Sequence, residues 1–390
     1  MAVGVSPQIS PQQIMTKPTH RLVFLDVVRG LTVAFMILVN NNGSERHAYW
    51  PLKHSAWNGC TPTDLVFPTF LFLVGIAIVF STASRIARGE AKSVLVKHAF
   101  RRAAIICIIS LVVHGFPDYP LATMRVFGVL QRIAICYLVA TLLYLWDRRV
   151  VTLVGVSVVC LLGYWVLIRW VPIPGHGMPG RDFPFLDRYM NLDSVIDRAL
   201  FPRRLDEGVF DPEGLLSTIP ALATCLFGVL TGLWLRTEKR MITKAGGMLA
   251  ASVAGLALGS LWGIWFPINK RMWTSSYVLY AAGWTLLALA ICYFVIEIKK
   301  QCGAWTYPWK VFGSNAIFSY ALSELLASTL DYIQVGQNGH AVALKDLICT
   351  RFFSPIASPS LASLLYSLCF VLVCFAPAFV LYRKGIFLKV

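Results

Sequence analysis

Ten stretches of this chain stay apolar for about the length a helix needs to cross a bilayer, with short polar segments between them. A hydrocarbon core of ~30 Å takes roughly 20 residues in helix. The pattern predicts spans near 23–40, 62–83, 103–116, 126–146, 150–169, 214–235, 245–266, 275–296, 311–331 and 360–382. The third is short and can extend into its basic flank. The expected fold class is all-α: a polytopic integral membrane protein of about ten transmembrane helices. Residues 1–20 are polar, contain prolines and read as a cytoplasmic tail rather than a signal peptide. Residues 21–390 read as one transmembrane domain, with 171–213 packed over the outer mouth as a cap of loops and short helices.

Composition agrees with the pattern. The chain is 57% hydrophobic and 14% charged, with a mean hydropathy of +0.66, whereas soluble domains carry about 25% charged residues. A net charge of +16 would admit a nucleic-acid partner, but its distribution argues for membrane topology and no nucleic acid. Lys and Arg collect at Lys17 and Arg21, between Arg85 and Arg102, at Arg148 and Arg149, between Arg236 and Lys244, at Lys299, Lys300 and Lys310, and at Arg383, Lys384 and Lys389. Those segments alternate with poorer ones, which places both termini in the cytoplasm. The ten cysteines show no metal spacing, so no metal is expected. Cys60 and Cys349 fall in outer loops, and a disulfide between them stays open.

Ionisable residues inside spans are costly and mark candidate sites. Leu25-Asp26-Val27-Val28-Arg29-Gly30 puts Asp26 and Arg29 on one helix face. They form either an ion pair at the inner interface or an arginine aimed at an anionic ligand. Gln131 and Arg132 sit inside the fourth span, where Arg132 must face the bundle interior, a carboxylate or a cavity. The first outer loop is the densest in hydrogen-bonding side chains: Asn40-Asn41-Asn42, then Lys53-His54-Ser55-Ala56-Trp57-Asn58-Gly59-Cys60-Thr61-Pro62-Thr63-Asp64. Thr61 or Thr63 can cap the second span and Asp64 suits its positive end. Alternatively Asn40, Asn58 and Asp64 converge on His54 as a catalytic group. Asp211-Pro212-Glu213-Gly214 and the turn around Asn269 and Lys270 could close the same vestibule. Carboxylates, amides and aromatic faces are also what a sugar site uses, so Trp57, Asn58, Glu213, Asn269 and Lys270 are candidate substrate contacts, and neither cluster alone specifies a sugar.

Those segments, with Gly128–Ile133, Pro267–Tyr277 and, more weakly, Phe312–Ile317, resemble the heparan-α-glucosaminide N-acetyltransferase family. The chain does not begin with the large luminal region of the animal enzyme. It therefore resembles the short bacterial members, some of them associated with N-acetylglucosamine use, and a bacterial inner membrane follows. The resemblance implies acetyl transfer from cytoplasmic acetyl-CoA to an amino sugar, glucosamine-like, on the other face. It places the catalytic histidine at His54 and an essential asparagine at Asn40, and Asp64 joins them as a catalytic candidate from the residue pattern alone. Arg29, Arg101 and Arg102, together with Gln131 and Arg132, become candidate acetyl-CoA contacts. It also suggests a homodimer. A sugar or small-metabolite permease without chemistry is the competing reading.

Overall fold

The computed structural model describes residues 22–388 except 207, 338 and 339. The expected tail 1–20, with Lys17, Arg21 and Lys389, lies outside them. Helical rods stand at all ten expected places: α1 Val23–Asn40, α2 Val66–Ala87, α3 Lys92–Gly115, α4 Val129–Trp146, α5 Val150–Trp170, α7 Thr218–Leu235, α8 Met241–Trp262, α9 Ser275–Tyr293, the pair α10 Tyr307–Ser314 and α11 Ala316–Tyr332, and α13 Pro359–Arg383. Eight of them, counting the one-turn helix Pro62–Leu65 with α2 and the π-turn Phe294–Ile298 with α9, are long and apolar enough to cross a membrane by length and composition. The two exceptions are α3, whose first half is basic, and the broken pair α10 and α11.

Two expectations need correction. The span 311–331 is not one helix. The backbone leaves helical geometry at Asn315, whose side chain binds the C-terminal segment instead. Its Nδ2 donates to the Ile386 carbonyl at 3.1 Å and its Oδ1 accepts from Leu388 N–H at 2.8 Å. Residue 214 does not open a helix, because α7 begins at Thr218 and 211–217 form turns. The last outer loop pairs β1 Gln334–Gln337 antiparallel with β2 His340–Ala343, followed by α12 Leu344–Ile348. The 171–213 segment folds as turns around a single helix, α6 Leu192–Leu200, capped by the Asn191 side chain on Ser194 N–H.

In lipid, helices gain little from the hydrophobic effect and rely on close backbone approach. Glycines supply it here. A Cβ at Gly75 would strike the Cys225 carbonyl and one at Gly228 the Phe72 carbonyl, so α2 and α7 cross there. Gly30 and Gly313 seat α1 against α10 in the same way, against the carbonyls of Trp309 and Asp26. The glycine of the Leu25–Gly30 motif is therefore a packing residue. The faces of α5 and α8 bearing Val151, Val159, Leu249 and Val253 are exposed, as lipid-facing surfaces would be.

Ser44, just past α1, exchanges hydrogen bonds with Ser363 near the start of α13. One end of the bundle gathers the segments 41–61, 116–128, 171–217 and 263–274, tied by bonds from Trp57 to Leu186, Arg125 to Asp211 and Gly59 to Ile268. All ten cysteines are free. The Cys60–Cys349 bridge does not form, and Cys349 Sγ lies against the Gly43 carbonyl instead.

Candidate active site

Thr61-Pro62-Thr63-Asp64 starts a helical turn with Thr61 as cap and proline at the first position. Asp64 then reaches back, its Oδ2 accepting from Thr61 N–H at 3.0 Å. The same oxygen takes Ser55 N–H at 3.0 Å, and Oδ1 faces His54 Nδ1 at 2.7 Å. Asp64 thus caps the helix and holds His54 in one geometry. An ionised carboxylate only accepts, so Nδ1 carries the proton and Nε2 keeps its lone pair. Nε2 has no hydrogen-bond partner among the described residues, and the side chain is 36% exposed while Asp64 is 0% exposed. Partial burial pushes the imidazole pKa below its ordinary 6.5, and the Lys270 ammonium adds to that, against the pull of Asp64.

A second loop holds this one in place. Asn269 Nδ2 donates to Asn58 Oδ1 at 3.1 Å, Gly59 N–H to the Ile268 carbonyl at 2.7 Å, and Tyr277 Oη to the Asp64 carbonyl at 2.6 Å. Asn269 is fully buried. Trp57 is turned toward the cap, its Nε1 donating to the Leu186 carbonyl at 2.8 Å and its ring edge-on to Phe210. Asn58, Asn269 and Trp57 therefore clamp the histidine loop, while Lys270 lies within electrostatic reach of His54.

Of the side chains expected to converge on His54, Asp64 does so. Asn40, exposed at the end of α1, is not a hydrogen-bond partner of His54 among the described residues. The sequence reading passed over Arg125 altogether. It donates from Nε to Asp211 Oδ2 at 2.9 Å and from Nη2 to Asp211 Oδ1 and Glu213 Oε2 at 2.6 Å each, and Nη1 pairs with Asp206 at 3.1 Å. Burial alone would raise the Glu213 pKa, but Arg125, then Lys270 and Arg132, hold it at about 2. Arg132 is fully buried. Its Nη2 donates to the Gly214 carbonyl at 3.2 Å and Ser217 Oγ at 2.6 Å, and its guanidinium lies 4.9 Å from the Trp273 ring centre. Gln131 accepts from Ser110 Oγ at 2.5 Å.

A cavity of about 500 Å³ opens at the other end of the bundle, and Arg29, Arg85, His98, Arg101 and Arg102 line it. Three of the expected acetyl-CoA contacts, Arg29, Arg101 and Arg102, are thus brought together. Gln131 and Arg132 are not among the lining residues. Arg29 also pairs with Asp26 at 3.2 Å, so the ion-pair and cavity readings both hold for it. The cavity continues between the helices to Phe70, Ile133 and Ile317. From Arg85 to Phe70 along α2 is about 22 Å at 1.5 Å per residue. Phe70 lies six residues from Asp64.

Residues 21–266 match the family described as heparan-alpha-glucosaminide N-acetyltransferase, catalytic. The chain is similar to the human protein named heparan-alpha-glucosaminide N-acetyltransferase, with 28% identity across 95% of this chain and 60% of the human one. The mouse protein of the same name is also 28% identical, across 79% of this chain and 54% of its own. The chain thus spans little more than half the length of these relatives.

Proposed function

Because the chain belongs to the heparan-α-glucosaminide N-acetyltransferase family, we propose that it is a transmembrane acetyltransferase, with acetyl-CoA in the basic cavity as donor and an amino sugar beside His54 as acceptor. One observation carries this reading: a His–Asp pair with a free Nε2 sits at one end, and an arginine-lined cavity reaches toward it from the other. The phosphates of CoA are polyanionic and suit the arginines, and the thin pantetheine arm suits the apolar continuation past Phe70.

The acceptor arrives as an ammonium and sheds one proton to become a nucleophile. Its nitrogen adds to the thioester carbonyl while His54 Nε2 takes the second N–H proton. The C–S bond then breaks, and that proton passes to the departing sulfur. The same free Nε2 would serve a two-step route in which the acetyl rests on the imidazole.

The basic end faces the cytoplasm of a bacterial inner membrane in this reading, and the histidine end faces outward. Labelled acetyl-CoA inside sealed vesicles should give acetylated glucosamine outside, whereas uptake of unmodified sugar would establish a permease instead. Orientation is checked separately. A cysteine at exposed Ser93, with Cys302 and Cys369 replaced by serine, should resist an impermeant thiol reagent in intact cells. Ready labelling would reverse the proposed direction of acetyl flow.

A base works only when neutral. Because the His54 pKa lies below 6.5, activity should hold above that pH and fall on an acidic limb below it. Lys270→Met removes a charge that lowers the pKa, so the limb should move to higher pH. An unmoved limb would separate Lys270 from the titrating group.

A further inference from the structure

The break between α10 and α11 is matched by a turn after α13. That helix stops at Arg383, and Gly385 follows in the left-handed region with φ +67. Gly385 N–H donates to the Tyr382 carbonyl at 3.1 Å and Ile386 N–H to the Leu381 carbonyl at 2.9 Å. These two bonds form the stop that turns a chain back from its own helix. The Phe387 ring then packs edge-on to Tyr382, with centroids 6.2 Å apart. The returning segment ends against Asn315, which is 1% exposed. Its amide takes both the Ile386 carbonyl and the Leu388 N–H, at 3.1 and 2.8 Å. Three separate contacts thus fix where residue 388 lies.

That place is the basic cavity. Leu388 lines it together with Gly313, Ser314, Ala316 and Ile317, from either side of the break. Irregular backbone within a membrane bundle is kept where it is buried in protein or borders a cavity. The cavity wall is therefore of two kinds. Its basic side chains, Arg29, Arg85, His98, Arg101 and Arg102, all come from α1, α2 and α3. Helices α10 and α11 and the segment after α13 bring no charge to it. The two kinds meet at the break, where Arg29 Nη1 lies 3.5 Å from the Gly313 carbonyl. Leu388 is 47% exposed, so its apolar face is open. The Tyr137 ring, which also lines the cavity, is 8% exposed and already covered by the Arg102 guanidinium at 4.7 Å.

We propose that Leu388 packs against the adenine ring of CoA, and that Asn315 holds it there as a positioning residue. This rests on the acetyl-CoA reading of the cavity. A nucleotide joins charged phosphates to a flat base, and the wall offers each a matching side. The phosphates suit the arginines, and the base gains dispersion contacts from an apolar side chain fixed in advance.

The test compares CoA with 4′-phosphopantetheine, which lacks the adenine nucleotide. Binding of each to the purified full chain is measured for the parent, for Leu388→Ala and for Asn315→Leu, which removes both hydrogen bonds to the returning segment. CoA affinity should fall about 5- to 20-fold in Leu388→Ala, as expected for losing part of a leucine contact. The fall in Asn315→Leu should be at least as large, and phosphopantetheine affinity should stay at the parent value in both. Dephospho-CoA, which keeps the base but not the 3′-phosphate, should lose as much as CoA in Leu388→Ala. An equal loss for CoA and phosphopantetheine, no loss for CoA, or no loss for dephospho-CoA overturns the proposal. Leu388 is half exposed, so Leu388→Ala decides the matter if Asn315→Leu does not fold. A parent that binds CoA no better than phosphopantetheine overturns the adenine contact and leaves the donor reading standing. A parent that binds neither overturns both.

Discussion

Replacing His54 with alanine should lower acetyl transfer by about 10²–10⁴-fold, the usual worth of general acid–base catalysis, while CoA affinity stays near the parent value. The separation in space gives this its force. His54 lies at one end of the bundle and the arginines lining the cavity at the other. Loss of the imidazole also leaves Asp64 with its Ser55 and Thr61 backbone donors, so the helix start should survive. Steady-state turnover and CoA binding on the same preparation decide the matter. Turnover within about tenfold of the parent would remove His54 from the proton transfer. A matched loss of CoA binding would show that the loop, rather than the imidazole, had been damaged.

Arg125→Met should be the most damaging of these substitutions to stability. The guanidinium is 20% exposed and closes on Asp211 and Glu213, 1% and 7% exposed, at 2.6 Å each. Removing one member of a buried ion pair strands the other charge, at a cost of about 3–5 kcal/mol. Here two carboxylates would be stranded together. Thermal unfolding in detergent should show a large drop in Tm, and the triple variant Arg125→Met, Asp211→Asn, Glu213→Gln should recover part of it. A single variant as stable as the parent would mean that water reaches these acids freely.

The spans were legible because a bilayer imposes one length and one polarity on every helix that crosses it. The break at Asn315 was not. Residues 311–331 carry enough apolar positions to read as a span, and only the distant Ile386 and Leu388 reveal what the asparagine holds. The hairpin at 334–343 was hidden for the same reason, since short polar loops carry little periodicity. His54 and Asp64 were visible as a dense polar run, but which partner the imidazole takes depends on how Asp64 folds back over the Thr61 cap. Arg125 read as an ordinary loop arginine, and its partners lie 81 to 88 residues away.

Helix α2 joins the two chemistries with a single rod. Its leading turn holds the imidazole through Asp64, and its last turn carries Arg85 at the cavity mouth. The 21 residue steps from one to the other span about 31 Å, a length fixed by covalent geometry rather than by loops. In the proposed reaction the rod is in effect a ruler for the donor. A thioester on an arm shorter than that reach stops before the base, and one on a longer arm must fold. Inserting one alanine in the middle of α2 would lengthen the ruler by about 1.5 Å and turn one end by about 100° against the other. Donor length selection would then be altered without any change in the residues that touch either substrate.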